Sequence, residues 1–145
     1  MAERRAEVIW EGNLTQGHGT IISVGSGAFG PLPVTWASRV EEPAGKTSPE
    51  ELLAAAHAAC YSMALSNTLN QRGAPPEQLH TTAVCTIERV EGAMKITTMR
   101  LTVRGRVPGI DHAAFVDAAT TAGRNCPVSR ALAGNVDISV DAALE

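Results

Sequence analysis

A long stretch of the chain carries almost no charge. Between Glu51 and Arg72 there are only apolar residues, small polar residues and one histidine. A helix that is apolar nearly all round is typical of a buried position. Ser48 is a suitable helix cap, with Glu51 closing a capping box, and Gly73 is a suitable terminator. We therefore predict one long buried helix over residues 47–73.

The length of this helix limits how the rest of the chain can cover it. At 1.5 Å per residue it would be about 36 Å long, which is roughly the diameter of a small domain. A chain of 145 residues can barely cover such a helix by itself. We therefore predict a sheet against one face of the helix and a second copy of the chain against another.

Alternating apolar and polar runs predict strands on both sides of the helix. Before the helix, residues 5–11 and 19–24 are expected to form a hairpin, and residues 34–40 a third short strand that ends near Arg39. After it, residues 79–90 and 94–107 are expected to form a second hairpin.

Two shorter helices and a last strand are expected to complete the chain. Asp111 is a suitable cap for an amphipathic helix that continues to Asn125, and residues 128–133 are expected to form a short helical turn. Residues 136–140 form the predicted last strand. Strands grouped before and after helices predict an α+β fold with mainly antiparallel sheets around the long helix. The length predicts a single domain, residues 1–145.

Composition narrows the possible function classes. The net charge is −3, and Phe, Trp and Tyr together contribute five residues, whereas nucleic-acid binding needs basic patches and stacking aromatics. The chain begins with charged residues rather than a signal-peptide pattern, and no apolar run reaches transmembrane length. We predict a cytoplasmic protein that binds neither nucleic acid nor membrane. In a reducing compartment, three cysteines favour catalysis, redox chemistry or metal binding over structural disulfides.

Two of the cysteines lie where a thiol could react. Cys60 falls in the middle of the apolar helix, where burial raises a thiol's pKa unless a cation is near; a plain core position is the alternative. Cys126 falls where one helix ends and the next begins, and the amides of a helix N-terminus favour a thiolate. Cys85 lies in a strand between apolar neighbours and is assigned to the core.

Other side chains leave several chemistries open. His57, one helical turn before Cys60, could be the base of a Cys-His hydrolase or, with Cys60 and Cys126, a zinc ligand; a hydrogen-bonded core histidine is the more common case. Spacing does not choose among four cations that could activate a thiolate: Arg39, Lys46, Arg72 and Arg130. Because Glu51 is expected in the capping box, Glu50 can hold an arginine or stabilise the helix dipole.

Several motifs together resemble one known family. The segments SPEELLAAAHAACYSMALS and CPVSRAL, with the flanking WEG, SRVEE and VPGID, are similar to those of the OsmC/Ohr thiol peroxidases, and to the OsmC branch more than to the Ohr branch. The similarity extends from Trp10 to Val140. Val40 and Tyr61 stand at positions where the family more often has Phe, which bears on the preferred peroxide.

The resemblance implies a fold and a set of site residues. The fold would be an OsmC-like intertwined homodimer. The family's peroxidatic cysteine falls on Cys60, its resolving cysteine on Cys126, its activating arginine on Arg39, and the glutamate that orients the arginine on Glu50.

The resemblance also implies a reaction without metal, haem or flavin. Cys60 would reduce organic hydroperoxides to alcohols, and hydrogen peroxide more slowly, becoming a sulfenic acid that condenses with Cys126 to a disulfide. A dithiol reductant, of lipoyl type or a small thiol, would then reduce this disulfide. The competing hypotheses are a Cys/His hydrolase or acyltransferase and a non-enzymatic zinc- or ligand-binding domain.

Helix geometry limits how these residues can meet. Glu50 and Cys60 are ten residues apart, which is about 15 Å along one helix, and an arginine side chain reaches about half that distance. If Arg39 contacts both, either the helix begins after Glu50 or the two groups come from different chains of a dimer. We adopt the second option as a hypothesis.

Overall fold

The computed structural model describes all 145 residues of the chain. The chain divides into two compact units, Met1–Leu52 and Leu53–Glu145, and each contains a three-stranded sheet. The single domain over residues 1–145 stays a prediction. None of the helices has the length and apolar character needed to cross a membrane.

The first unit is built on a small antiparallel sheet. Strand β1 (Ala6–Glu11) pairs with β2 (His18–Val24), and β2 pairs with β3 (Leu32–Val34). The predicted hairpin of the first two strands is therefore confirmed. The apolar side chains of β1 remain exposed, with Val8 at 59% and Ile9 at 54%.

The predicted strand over residues 34–40 is wrong, because Trp36–Val40 forms a short helix, α1. Thr35 starts this helix: its hydroxyl accepts from the Ser38 N–H at 3.0 Å, and the Ser38 hydroxyl accepts from the Thr35 N–H at 3.0 Å. This reciprocal capping uses Ser where the usual pattern has Glu or Gln, so the sequence signal is weak. Arg39 consequently lies in the last turn of a helix instead of at the end of a strand.

The long helix is confirmed as α2, Pro49–Gln71. The Glu51 N–H donates to the Ser48 hydroxyl at 3.1 Å, as expected of the cap. The return contact of the predicted capping box does not form, since the Glu51 carboxylate accepts from the Thr47 hydroxyl at 2.8 Å instead. Gly73, with φ of +76°, follows the end of the helix, where a left-handed residue is needed.

Within one chain, α2 is buried along one side only. Tyr61, Leu65 and Leu69 lie at four-residue intervals and are almost completely inaccessible. On another side Ala59 is exposed and Met63 is 73% exposed. The predicted burial on every side would therefore need a partner chain.

The second unit contains a mixed sheet. Strand β4 (Gln78–Val90) pairs antiparallel with β5 (Ala93–Arg106), which confirms the second hairpin, and Glu91 and Gly92 form its turn with positive φ angles of 49° and 85°. Strand β6 (Asp137–Leu144) pairs parallel with β5. It runs further than the predicted residues 136–140. The α+β class is confirmed.

Two helices lie between β5 and β6. The first, α3 (His112–Asn125), is capped as predicted, because the Asp111 carboxylate accepts from the Ala114 N–H at 2.8 Å. The second, α4 (Pro127–Leu132), follows after the single residue Cys126, which ends one helix and caps the other. Cys126 is therefore held at a fixed corner of the backbone.

The apolar core of the second unit fills the space between helices and sheet. The Tyr61 hydroxyl donates to the Ala119 carbonyl at 2.9 Å and so ties α2 to α3. A Cβ at Gly105 would lie 2.6 Å from the Phe115 ring, so glycine is needed for α3 to approach β5. The largest fully buried apolar side chains are Tyr61, Phe115, Leu65, Leu69, Met99, Leu101 and Val103.

Candidate active site

Cys60 and Cys126 come together in the second unit. Cys60 lies near the middle of α2, and Cys126 lies at the corner between α3 and α4. Their side chains are in hydrogen-bonding contact, and no disulfide joins them. Cys126 is fully buried, whereas Cys60 is partly accessible. A solute can therefore reach the Cys60 sulfur, whereas the buried Cys126 thiol is accessible only to the groups packed against it.

The surroundings of Cys60 in this unit do not favour its thiolate. Burial is the main cause that raises the pKa of the Cys60 thiol, and the neighbouring Cys126 adds to the increase. The Val128 backbone N–H donates to the Cys60 sulfur and opposes the increase. Because the net shift is upward, Cys60 needs a nearby cation to react as a thiolate at neutral pH.

His57 forms its hydrogen bond with Ser129 and not with Cys60. Its side chain is fully buried, and its Nε2 lies 2.7 Å from the Ser129 hydroxyl. Its Nδ1 has no hydrogen-bond partner, so the ring does not contact the Cys60 thiol as a catalytic base would. Burial also lowers the pKa of His57, which favours the neutral ring.

The structure contains no cluster of three His, Cys, Asp or Glu side chains placed to hold a metal.

Arg39 and Glu50 form an ion pair in the first unit. Nε and Nη2 of Arg39 both donate to Glu50 Oε1, at 3.0 and 2.7 Å. The Glu50 residue is only 5% exposed, and its Oε2 is buried without a partner. The Trp36 ring lies 5.9 Å from the guanidinium carbon of Arg39. Glu50 therefore holds an arginine. Its two hydrogen bonds from Arg39, together with the Trp36 ring, keep the guanidinium in one orientation.

An apolar cavity of about 370 Å³ lies beside Arg39 in the same unit. Its wall is apolar except for Arg39 and Thr35. Such a cavity suits the hydrocarbon part of a small molecule whose polar end is near the guanidinium. The other residues that line it are Val8, Trp10, Leu14, Gly19, Ile21, Val34, Trp36, Pro49 and Leu52.

Comparisons with known proteins show the family of this chain. A family model described as OsmC-like protein matches residues 42–141, which include Glu50, Cys60 and Cys126. The chain is 38% identical over 135 residues to Peroxiredoxin OsmC of Escherichia coli K12, and the match covers 93% of both proteins. The chain belongs to the OsmC-like family. The resemblance inferred from the motifs is thereby confirmed.

Solved structures have the same fold as this OsmC-like chain. The organic hydroperoxide resistance protein OhrB of Bacillus subtilis matches with a TM-score of 0.74 and 25% identity, over 95% of this chain and 97% of OhrB. An organic hydroperoxide resistance protein of Elizabethkingia anophelis matches with a TM-score of 0.73 and 20% identity, over 97% and 96% of the two chains. At that identity the second match supports the fold alone.

The four predicted site residues of this OsmC-like chain form two pairs. Arg39 contacts Glu50 in the first unit, and Cys60 contacts Cys126 in the second. Of the other candidate cations, Arg72 is bound to Asp117 at 2.7 Å, and neither Lys46 nor Arg130 forms an ion pair within the chain.

Two side chains of the site lacked a distinguishing signal in the sequence. Ser129 lies inside the CPVSRAL motif, but only the fold reveals its bond to His57. Trp36 packs on Arg39 because α1 replaces the predicted strand and brings the two onto one helix, three residues apart.

Proposed function

We infer that this chain is a cysteine-based peroxidase that reduces organic hydroperoxides to alcohols. The observation that carries this function is the contact between the partly accessible Cys60 and the buried Cys126 in a member of the OsmC-like family. The relative from E. coli is named a peroxiredoxin, and OhrB is named for resistance to organic hydroperoxides. The hydroperoxide is therefore the substrate, and a thiol is the reductant.

The chemistry proceeds in three balanced steps. The Cys60 thiolate attacks the distal peroxide oxygen, the O–O bond breaks, and Cys60 becomes a sulfenic acid; the leaving alkoxide takes up a proton equivalent to the one that the thiol released on ionising and departs as the alcohol. The Cys126 thiol then attacks the Cys60 sulfur, so that an S–S bond replaces the S–O bond and water leaves. An external dithiol, of lipoyl type or a small thiol, reduces the disulfide by exchange and is itself oxidised.

Arg39 is the cation that we assign to Cys60. Its guanidinium is held by Glu50, and its remaining donors could stabilise both the thiolate and the negative charge on the leaving oxygen. The apolar cavity beside Arg39 supports an organic substrate, because burial of a hydrocarbon tail is favourable. Hydrogen peroxide has no hydrocarbon part to bury in this cavity, so it is expected to react more slowly.

A homodimer fits the exposed apolar surface and the length of α2. Val8, Ile9 and Met63 are each more than half exposed in the single chain. Since α2 begins at Pro49, Glu50 belongs to the same helix as Cys60, ten residues and about 15 Å away. We therefore favour a cytoplasmic dimer in which Arg39 and Glu50 of one protomer act on Cys60 of its partner.

Peroxide consumption measured together with the thiol count tests the function. Reduced protein treated with cumene hydroperoxide, without added reductant, should consume one peroxide per chain. The count should fall from three thiols to one, because Cys85 lies on β4 outside the contact between Cys60 and Cys126. Dithiothreitol should restore all three thiols. A hydrolase or a ligand-binding domain would leave the peroxide unconsumed, and that result would overturn the proposal.

Mixed dimers test whether the site is shared between chains. Cys60→Ala and Arg39→Ala chains, each nearly inactive alone, should regain one intact site per heterodimer after co-refolding. The activity should then approach half that of a wild-type dimer. The matched control combines Cys60→Ala with Cys126→Ala, which belong to one unit of the same protomer and should not complement. Verified Cys60→Ala/Arg39→Ala heterodimers without activity would show that each site is complete within one chain.

A further inference from the structure

Two helices of the second unit meet through two polar contacts in register. His57 lies three residues before Cys60 on α2, and Ser129 lies three residues after Cys126 at the start of α4. His57 contacts Ser129, and Cys60 contacts Cys126. The two contacts therefore follow one another along an antiparallel pair of chain segments, about one helical turn apart.

We propose that His57 and Ser129 are positioning residues that hold Cys126 against Cys60 for disulfide formation. This inference rests on the proposed peroxidase function, and it concerns the second step only. The contact includes neither Arg39 nor the Cys60 sulfur, so it can affect the first attack by Cys60 only through the Val128 N–H of α4, which donates to that sulfur. The geometry assigns to it the step in which Cys126 attacks the Cys60 sulfenic acid.

The His57–Ser129 contact is well suited to fix α4. His57 is fully buried and Ser129 is 5% exposed, with 2.7 Å between Nε2 and the hydroxyl. A buried polar group that loses its partner cannot replace it with water, so the two side chains resist separation. Burial lowers the pKa of His57 and so favours the neutral ring, whose Nε2 can donate to the Ser129 hydroxyl or accept from it.

One other hydrogen bond joins this end of α4 to α2, from the Val128 N–H to the Cys60 sulfur. The helix has only six residues, and its cap, Cys126, makes no side-chain hydrogen bond to the helix amides. The Arg130 N–H donates to the Cys126 carbonyl at 3.0 Å, which fixes the helix internally but not against α2. Ser129 is the one α4 side chain with a hydrogen bond to another element, and that element is α2.

Small displacements of α4 would affect the chemistry strongly. Two cysteines form a disulfide only if their Cα atoms lie about 4.4–6.8 Å apart with a suitable side-chain direction. A sulfenic acid that waits too long for its partner thiol reacts with a second peroxide and becomes a sulfinic acid, which a dithiol cannot reduce. The His57–Ser129 contact therefore sets the ratio of recoverable disulfide to irreversible overoxidation.

Ser129→Ala tests this role against a matched control. Ser62→Ala removes a part-buried serine hydroxyl of α2 that bonds to Thr81 Oγ1 of β4 instead of to α4, at the same distance of 2.7 Å. Each reduced variant is treated with increasing cumene hydroperoxide, and intact mass measures disulfide and sulfinic acid. Ser129→Ala should reach half sulfinic acid at an about fivefold lower peroxide concentration than wild type, as expected for one lost hydrogen bond. Ser62→Ala should match wild type.

Two further variants separate positioning from general damage. His57→Phe keeps a planar ring without hydrogen-bonding atoms and should lower the ratio of disulfide to sulfinic acid as Ser129→Ala does. It also provides the test if Ser129→Ala does not fold. The double variant should be no worse than either single one, because both remove the same contact. Ser129→Thr keeps the hydroxyl and should restore the wild-type ratio. In all of them the first oxidation of Cys60 should slow less than disulfide formation, because the first attack does not use Cys126 and depends on α4 only through the Val128 N–H.

The outcomes distinguish this inference from the function on which it rests. If wild type forms no Cys60–Cys126 disulfide, the peroxidase mechanism itself fails. If wild type forms the disulfide but Ser129→Ala and His57→Phe overoxidise no more readily than Ser62→Ala, the positioning role is wrong. An equal slowing of the first oxidation and of disulfide formation would also overturn it, because that pattern is expected from general loss of structure.

Discussion

Cys60→Ser is expected to abolish peroxide reduction, whereas Cys126→Ser is expected to allow one chemical turnover and then stop. A serine hydroxyl at position 60 is not ionised near neutral pH and cannot be oxidised to a sulfenic acid, so no reaction begins. With serine at position 126, Cys60 still attacks the peroxide. The sulfenic acid then lacks the thiol with which Cys126 is in contact in the structure.

The two variants differ most clearly in a stopped assay. Without reductant, Cys60→Ser should consume no cumene hydroperoxide above the background rate. Cys126→Ser should consume one equivalent per chain and then become trapped by a sulfenic-acid reagent or, with excess peroxide, as a sulfinic acid. With dithiothreitol, only the wild type should continue at full rate, because only it forms the Cys60–Cys126 disulfide.

Cys85→Ser is the control for these variants. Cys85 lies on β4 outside the contact between Cys60 and Cys126, and it is partly buried instead of part of the core as predicted. It should retain multiple turnovers with at most a loss of stability. Full multi-turnover activity of Cys60→Ser would refute the assignment of the peroxidatic thiol, and an inactive Cys85→Ser would show that the third cysteine takes part.

The elements that the sequence predicted well are those whose signals are local. The long helix α2 has a cap, a proline and a terminating glycine within its own sequence, and the β4–β5 hairpin has regular alternation around Glu91-Gly92. The short helix α1 was missed because its cap is a Thr–Ser pair in an otherwise strand-like segment. The parallel pairing of β6 with β5 depends on a crossover through α3 and α4, which no local pattern specifies.

The features of the site also differ in how far the sequence could predict them. Motif resemblance assigned roles to Arg39, Glu50, Cys60 and Cys126, and the structure adds the contacts within each pair. The bond between His57 and Ser129 joins residues 72 positions apart in the sequence. Such a contact arises from the packing of α4 against α2, so neither residue type nor spacing could indicate it.

Arg39→Ala is expected to raise the pKa of Cys60 and slow its oxidation about 10- to 1000-fold at neutral pH. An opposite charge close to a titrating group shifts its pKa by about 1–3 units, and each unit removes nine-tenths of the thiolate below the pKa. Within the second unit only the Val128 N–H favours the Cys60 thiolate, while burial opposes it. Loss of a donor to the leaving oxygen adds to the effect. The pH profile of the rate should therefore move to higher pH.

Alkylation of Cys60 against pH measures this shift without peroxide, in a background with serine at positions 85 and 126. Arg39→Ala should move the midpoint upward by about one unit or more. Glu50→Gln should cause a smaller shift, because it keeps the guanidinium but weakens the carboxylate that holds Nε and Nη2. Arg39→Lys should lie between them, since it keeps a charge without the two-donor contact to Glu50. An unchanged midpoint in Arg39→Ala would exclude Arg39 as the activating cation, and Lys46 and Arg130 would be the next candidates, because neither forms an ion pair within the chain.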